Sequence, residues 1–132
     1  LFVKTIDPRF GDTDALGHIN NTVLPQWFEI GREPVFSIFT PDLDPKKWCL
    51  IMANMNIDYT AQLHYGHSVE IRTTVNKIGN SSFQLGHEAW QKGTLCAKGT
   101  ATIIHFDYAL QKSVPIPEDI RKELMEHIDF SQ

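Results

Sequence analysis

Between Asn21 and Arg32 the apolar residues Val23, Leu24, Trp27, Phe28 and Ile30 recur at helical spacing, and few charges fall on the remaining face. A helix of this kind has to be covered, because its aromatic and aliphatic stripe is too large to leave in water. Asn20 or Asn21 is available to cap its start, and Pro34 is expected to interrupt it beyond Arg32. The period then changes. Val69, Ile71, Thr73 and Val75 alternate with Ser68, Glu70, Arg72 and Thr74, the pattern of a half-buried strand. Leu50 to Tyr59 reads as a strand before it. Phe83 to Gln91 and Leu95 to Phe106 read as strands after it, set off by the turn signals Gly79-Asn80 and Lys92-Gly93. A short strand from Phe2 to Arg9 opens the chain, and Phe39 to Lys47 is a loop. Pro117, Glu118 and Asp119 start a last helix with Ile120, Leu124 and Ile128 on one side.

The order is therefore strand, long buried helix, four strands in a meander, and a terminal helix. That is an α+β layout in which one antiparallel sheet of about five strands covers one central helix. Exposed sheet edges in such a unit favour dimerisation or higher assembly. The 132 residues fit one domain over residues 1–132. A net charge of −4 argues against a dedicated polyanion binder, so no nucleic-acid partner is expected. No apolar run reaches the roughly 18 residues of a membrane span. The first residues show no secretory signal, and they lack Met, as in a trimmed chain. Cys49 and Cys96 have no CxxC spacing and read as reduced thiols, so a cytoplasmic location is expected.

The segment Arg9 to Asn21 carries the chemistry. It places Asp12, Asp14, His18, Asn20 and Asn21 directly before the buried helix. The first N–H groups of a helix have no internal partner and lie at the positive end of its dipole. A carbonyl oxygen placed there is polarised, as in an oxyanion hole. A carboxylate on the same loop can attack that carbonyl or activate a water beside it. Those two parts are the minimum a thioester hydrolase needs, because a thiolate leaves readily. The same residues also suit plain caps and turns. A calcium loop beginning at Asp12 fails, since its fifth and twelfth positions are Leu16 and Val23, which offer no side-chain oxygen. His64 and His67 are three apart in a turn without a partner cluster, and His87 and His105 lie in strands, so no metal site is expected. No Gly-rich nucleotide loop, GxSxG elbow or Cys nucleophile motif occurs.

The stretch Asp12-Thr13-Asp14-Ala15-Leu16-Gly17-His18-Ile19-Asn20-Asn21, followed by Trp27-Phe28-Glu29 and Arg32, resembles the D-x-D-x-x-G-H-[IV]-N-N loop of the hotdog-fold acyl-CoA thioesterases. This is the superfamily of 4-hydroxybenzoyl-CoA thioesterase. Asp58-Tyr59, Tyr65-Gly66, Ile78-Gly79, Ser81-Ser82-Phe83, His87-Glu88 and Pro115-Ile116-Pro117 resemble further family positions. The resemblance implies a hotdog fold and hydrolysis of acyl-CoA to a free acid and CoA, with acyl carrier protein thioesters as possible substrates and no cofactor. It implies Asp14 as nucleophile or general base, the N–H near Asn21 as the oxyanion donor, and Asp12 as a loop-fixing residue. Gly17 permits a sharp turn or close ligand approach, and His18 orients the loop, binds substrate or assists proton transfer. Gly17 and Asn20 are candidates for substrate contact, and Lys77, Asn80, Ser81 and Ser82 for contact with CoA. The family also implies a homodimer, often paired into a homotetramer, with active sites at the subunit interface and the CoA moiety lying along it. The sister branch acting on 4-hydroxybenzoyl-CoA typically lacks His-x-Asn-Asn here, so its aryl substrate is not implied. Two further readings stand beside hydrolysis: a hotdog hydratase or dehydratase, which His18 keeps open, and a non-catalytic acyl-CoA binder. Trp27, Trp48, Met52 and Met55 are candidates for setting pocket length, with ordinary core packing as the alternative for each.

Overall fold

The computed structural model describes residues 1–128. Strand β1 (Phe2–Ile6) is followed by a loop containing a 3-10 turn, Phe10–Asp12. A second 3-10 turn, Asn21–Val23, leads into helix α1 (Leu24–Phe39). Strands β2 (Leu50–Tyr59), β3 (Val69–Ile78), β4 (Ser82–Gln91) and β5 (Thr94–Asp107) come next. The two-residue β6 (Lys112–Ser113) and helix α2 (Glu118–Met125) close the described chain. The sheet curls around α1 in the hotdog arrangement.

Helix α1 does not stop at Pro34, contrary to the expectation from sequence. It runs on to Phe39 with Pro34 inside it. The proline removes the backbone bond to Ile30, and Ile30 lies on the exposed side. Val35 is fully buried on the opposite side, and Phe36 and Phe39 pack into the core below it. Packing on that face holds the last turns in place despite the lost bond. The helix ends instead at Thr40, whose following Pro41 forces it out of helical geometry.

The strands are antiparallel in the order β1-β3-β4-β5-β2, with β6 beside β5. Only β3, β4 and β5 form the expected meander. β2 does not pair with β3 but crosses to the far edge and pairs with β5, from Leu50↔His105 to Tyr59↔Ala97. The reason lies in the connection, residues 60–68. It is long enough to carry the chain across the sheet, whereas the two hairpins turn within two or three residues.

The core has two clusters stacked along α1. Near the helix start, Leu24, Trp27 and Phe28 pack with Ile19, Leu63, Val69 and Ala97. Near its end, Val35, Phe36 and Phe39 pack with Val75, Phe83, Ile103 and Leu124 of α2. Of the candidates for pocket length, Trp27 is a core residue of the first cluster, with Met55 packed on its edge. Burying Phe28 or Leu24 contributes about 1.5–3 kcal/mol each. Gly31 sets how closely α1 approaches the sheet. A Cβ there would lie 2.8 Å from Ile71 Cγ2 and from Thr73 Oγ1.

Beside Gly31 the core contains a polar network. His87 is buried, stacks on Phe28 at 4.9 Å, and bonds Thr73 Oγ1 through Nδ1 at 3.0 Å. Its Nε2 lies 3.3 Å from Arg32 Nη1, so the ring accepts there and donates from Nδ1. Burial first, and the Arg32 charge second, hold the His87 pKa down at about 3. The unfolded chain therefore binds a proton at His87 that the folded chain refuses. Its contribution to stability is complete above about pH 6.5 and is lost as pH falls from there towards about 3. Urea unfolding between pH 7 and pH 5 is expected to show stability falling by up to about 1.4 kcal/mol per pH unit from this group, and His87→Gln should flatten that slope.

Candidate functional site

The loop before α1 is built from its own hydrogen bonds. Asp12 is buried and takes Arg9 N–H at 2.8 Å, while Arg9 Nη2 reaches its other oxygen at 3.0 Å. The Arg9 guanidinium and backbone amide hold the Asp12 carboxyl below the usual carboxylate range. Asp12 O in turn accepts Asn20 N–H at 2.8 Å, tying the two ends of the loop together. This is the loop-fixing role the resemblance implied for Asp12.

Between those ends the chain doubles back. Thr13 and Ile19 form an antiparallel bridge, and Asp14 N–H donates to His18 O at 2.7 Å. Gly17 makes the reversal with φ at 81°, a conformation costly for any residue with a Cβ. Asp14 Oδ1 accepts Leu16 N–H at 2.7 Å and His18 N–H at 3.1 Å. Its second oxygen has no partner among the described residues, and the side chain is half-buried. One carboxylate thus does two things: half of it closes the turn, and half is held out unused.

The helix start is equally divided. Asn20 is the cap, with Oδ1 accepting Thr22 N–H at 3.0 Å and Asn20 O accepting Val23 N–H at 3.0 Å. Asn20 is therefore occupied in the protein's own structure. Asn21 N–H is the first of the turn and has no acceptor among the described residues. Tyr59 Oη donates to Asn21 O at 2.6 Å and fixes that peptide against the end of β2. A cleft of ≈ 280 Å³ opens there, lined by Asn21, Leu24, Tyr59 and residues 60–63. The sequence flagged Tyr59 only as a family position. Its bond to Asn21 spans 38 residues and had no local signal.

The His18 ring faces His64 edge-on, with centroids 5.1 Å apart. No hydrogen bond joins that ring to the Asp14 carboxylate among the described residues. Gln91 is buried beneath His64 and clamps the turn after Leu63, giving its NH2 to His64 O and His67 O and accepting His64 N–H. No group of three or more His, Cys, Asp or Glu is placed to hold a metal among the described residues.

Lys77, Asn80, Ser81 and Ser82 are not brought to this loop. Their hairpin packs at the other end of α1, where Phe39 stacks on Phe83. A helix of 16 residues separates the two sites by roughly 24 Å. Arg121 of α2 also occupies Gly79 O and Asn80 O, at 2.9 and 3.0 Å. Sequence spacing cannot reveal this, because the β3–β4 hairpin turns at whichever end of the sheet the register dictates.

The Arg9–Asp12 pair gives a test of the loop. A carboxylate with a lowered folded pKa stabilises above its unfolded value and loses that contribution as pH falls through the folded one. Asp12→Asn is expected to lower Tm at neutral pH and to shrink the acid-side loss of Tm below about pH 4, read from melting curves across pH.

The sequence model of the Thioesterase-like superfamily matches residues 8–124. A structure from Bacillus stearothermophilus, described as a predicted thioesterase, superposes with a TM-score of 0.95 at 43% identity, covering 97% of this chain and 96% of that one. A thioesterase from Thermus thermophilus, solved with coenzyme A and zinc, has a TM-score of 0.84 at 28% identity, covering 93% of this chain and 96% of that one. The Bacillus subtilis protein YneP, provisionally named an acyl-CoA thioesterase, is 25% identical over 108 residues, which are 79% of this chain and 78% of that protein. The family match spans the Asp14 loop, α1 and the whole five-stranded sheet except β1, and on it this chain belongs to the thioesterase-like superfamily.

Proposed function

We propose that the protein hydrolyses acyl-CoA thioesters to a carboxylic acid and CoA, working as a single domain. The observation that carries this reading is the divided carboxylate of Asp14 on the same loop as the unpaired Asn21 N–H. The thioester carbonyl oxygen accepts from Asn21 N–H, where the helix dipole adds to the polarisation. The free Asp14 oxygen then attacks the carbonyl carbon, or takes a proton from a water that attacks it. The CoA thiolate leaves and is protonated; on the direct route a water then cleaves the acyl–Asp14 anhydride, so either route consumes one water and releases the acid. The structural neighbour that binds coenzyme A supports a CoA-bearing substrate. His18 is assigned to holding the loop, because its backbone makes both bonds to Asp14 while its ring turns to His64. That orientation gives no support to an Asp/His pair for hydration. Lys77 and the Asn80-Ser81-Ser82 turn are left out of the single-chain site.

The protein is further proposed to work as a homodimer or homotetramer, at a cytoplasmic location. β2 is ten residues long, pairs on one side only, and exposes Ile51, Met52 and Tyr59. A long apolar edge of this kind invites pairing with another chain. Light scattering is expected to return at least twice the chain mass of 15.1 kDa, and a monomer at micromolar concentration overturns the assembly.

The decisive variant follows from the geometry. Asp14→Asn keeps an oxygen to accept Leu16 and His18 N–H, so the turn survives while the nucleophile or base is lost. The turnover of acyl-CoAs from short to long chains is expected to drop about 10²–10⁴-fold with Tm unchanged. Wild-type rates in Asp14→Asn would refute the assignment. Hydration of crotonyl-CoA without thioester cleavage would favour the hydratase reading, and tight CoA binding without turnover the binder.

A further inference from the structure

Hydrolysis at Asp14 leaves one buried charge without a use. Arg32 is 2% exposed, on α1 between Glu29 and Glu33. It forms no salt bridge among the described residues. One N–H reaches His87, and Nε has no partner among the described residues. A guanidinium carries five donors, and burying it without acceptors is unfavourable unless something else supplies them. Burial draws the Arg32 pKa down, with Glu29 opposing the shift.

Arg32 lines a cavity of ≈ 410 Å³ between α1 and β2. Phe36, Trp48, Leu50 and Met52 form its apolar walls, and Glu29 and Glu33 line it beside Arg32. The gap exists because α1 lies against β1 and β3 and leaves β2 lightly covered. Met55 and Ile57 of β2, packed on the edge of the first core cluster, and Tyr59 continue the apolar character towards Asn21. Asn21 and Arg32 are eleven residues apart, about 16 Å along a helix, which is close to the extended length of a dodecanoyl chain.

We propose that Arg32 selects the acyl group: the preferred thioester carries a hydroxyl near the far end of a long chain, whose oxygen accepts from the Arg32 guanidinium. This rests on the thioesterase reading and names the substrate class for it. A plain methyl end would leave the donors unpaired in an apolar cavity. A terminal carboxylate would meet the charges of Glu29 and Glu33. A hydroxyl accepts from Arg32 and donates its hydrogen to either glutamate, satisfying the mixed set.

The test compares dodecanoyl-CoA, ω-hydroxydodecanoyl-CoA and dodecanedioyl-CoA on the wild-type protein, Arg32→Met and Arg32→Lys. Wild type is expected to show kcat/KM at least about tenfold higher for the hydroxy thioester than for the plain one, with the diacid below the hydroxy thioester. In Arg32→Met the ratio should fall to about one. Arg32→Lys, which keeps the charge and loses the fork geometry, should fall between them and guards against a folding failure of the first variant. A wild-type ratio near one, a preference for the diacid, or a ratio unchanged in both variants overturns the proposal and leaves hydrolysis intact. Calorimetric titration with ω-hydroxydodecanoate against dodecanoate separates the two readings. If no thioester is cleaved, hydrolysis fails, and tighter binding of the hydroxy acid that Arg32→Met abolishes still upholds the Arg32 site. Equal binding of the two acids overturns it.

Discussion

The burial of one face of α1 is the constraint on which the rest of the molecule depends. Leu24, Trp27, Phe28, Gly31 and Val35 lie against the sheet, and at Gly31 there is no space for even a methyl group. That contact fixes the height of the helix above β3 and β4 and the depth at which His87 and Arg32 sit. It also fixes where the helix begins. The 3-10 turn at Asn21–Val23, the cap at Asn20 and the folded loop before them are positioned by Ile19, Val23 and Leu24 in the core. The loop that carries both Asp14 and the unpaired Asn21 amide is thus positioned by core packing one turn away.

The loop shows how a capping role and a chemical role coexist. An aspartate before a helix is usually explained by the amides it caps. Asp14 does cap amides, those of Leu16 and His18, but with one oxygen only. The turn orients the carboxylate at little cost in side-chain freedom, which is what a preorganised site requires. Asp12 is wholly spent on structure, bonded to Arg9 at both oxygens. Two carboxylates two residues apart therefore differ in role because their neighbours differ.

The off-centre seating of α1 has a second effect. With the helix over β1 and β3, the inner side of β2 is only partly covered, and clefts open along it at the start of the helix and beside its middle. The first holds Asn21 and Tyr59, the second Arg32. The buried guanidinium sits in the low-dielectric interior, where an unsatisfied donor matters most.

The sequence by itself determined a good deal. Its change from helical to alternating period marked α1 and the strands, and β2 was delimited at both ends, because these depend on side chains a few residues apart. The Asp12-to-Asn21 motif located the loop and its family for the same local reason. What it misjudged involved residues distant in the chain. Pro34 is tolerated because Val35, Phe36 and Phe39 are held by β3, β4 and α2. β2 leaves the meander because its pairing partners in β5 lie far on in the chain, from Ala97 opposite Tyr59 to His105 opposite Leu50. The place of Lys77 and the Asn80-Ser81-Ser82 turn, at the far end of the helix within one chain, is a separate matter that local sequence leaves open, because strand register positions the hairpin. Only the tertiary structure decided which Asp14 oxygen is free among the described residues, that Tyr59 anchors Asn21, and that Arg32 is buried without an ion pair among them. Each of these is set by long-range packing and hydrogen bonding, which no short window of sequence contains.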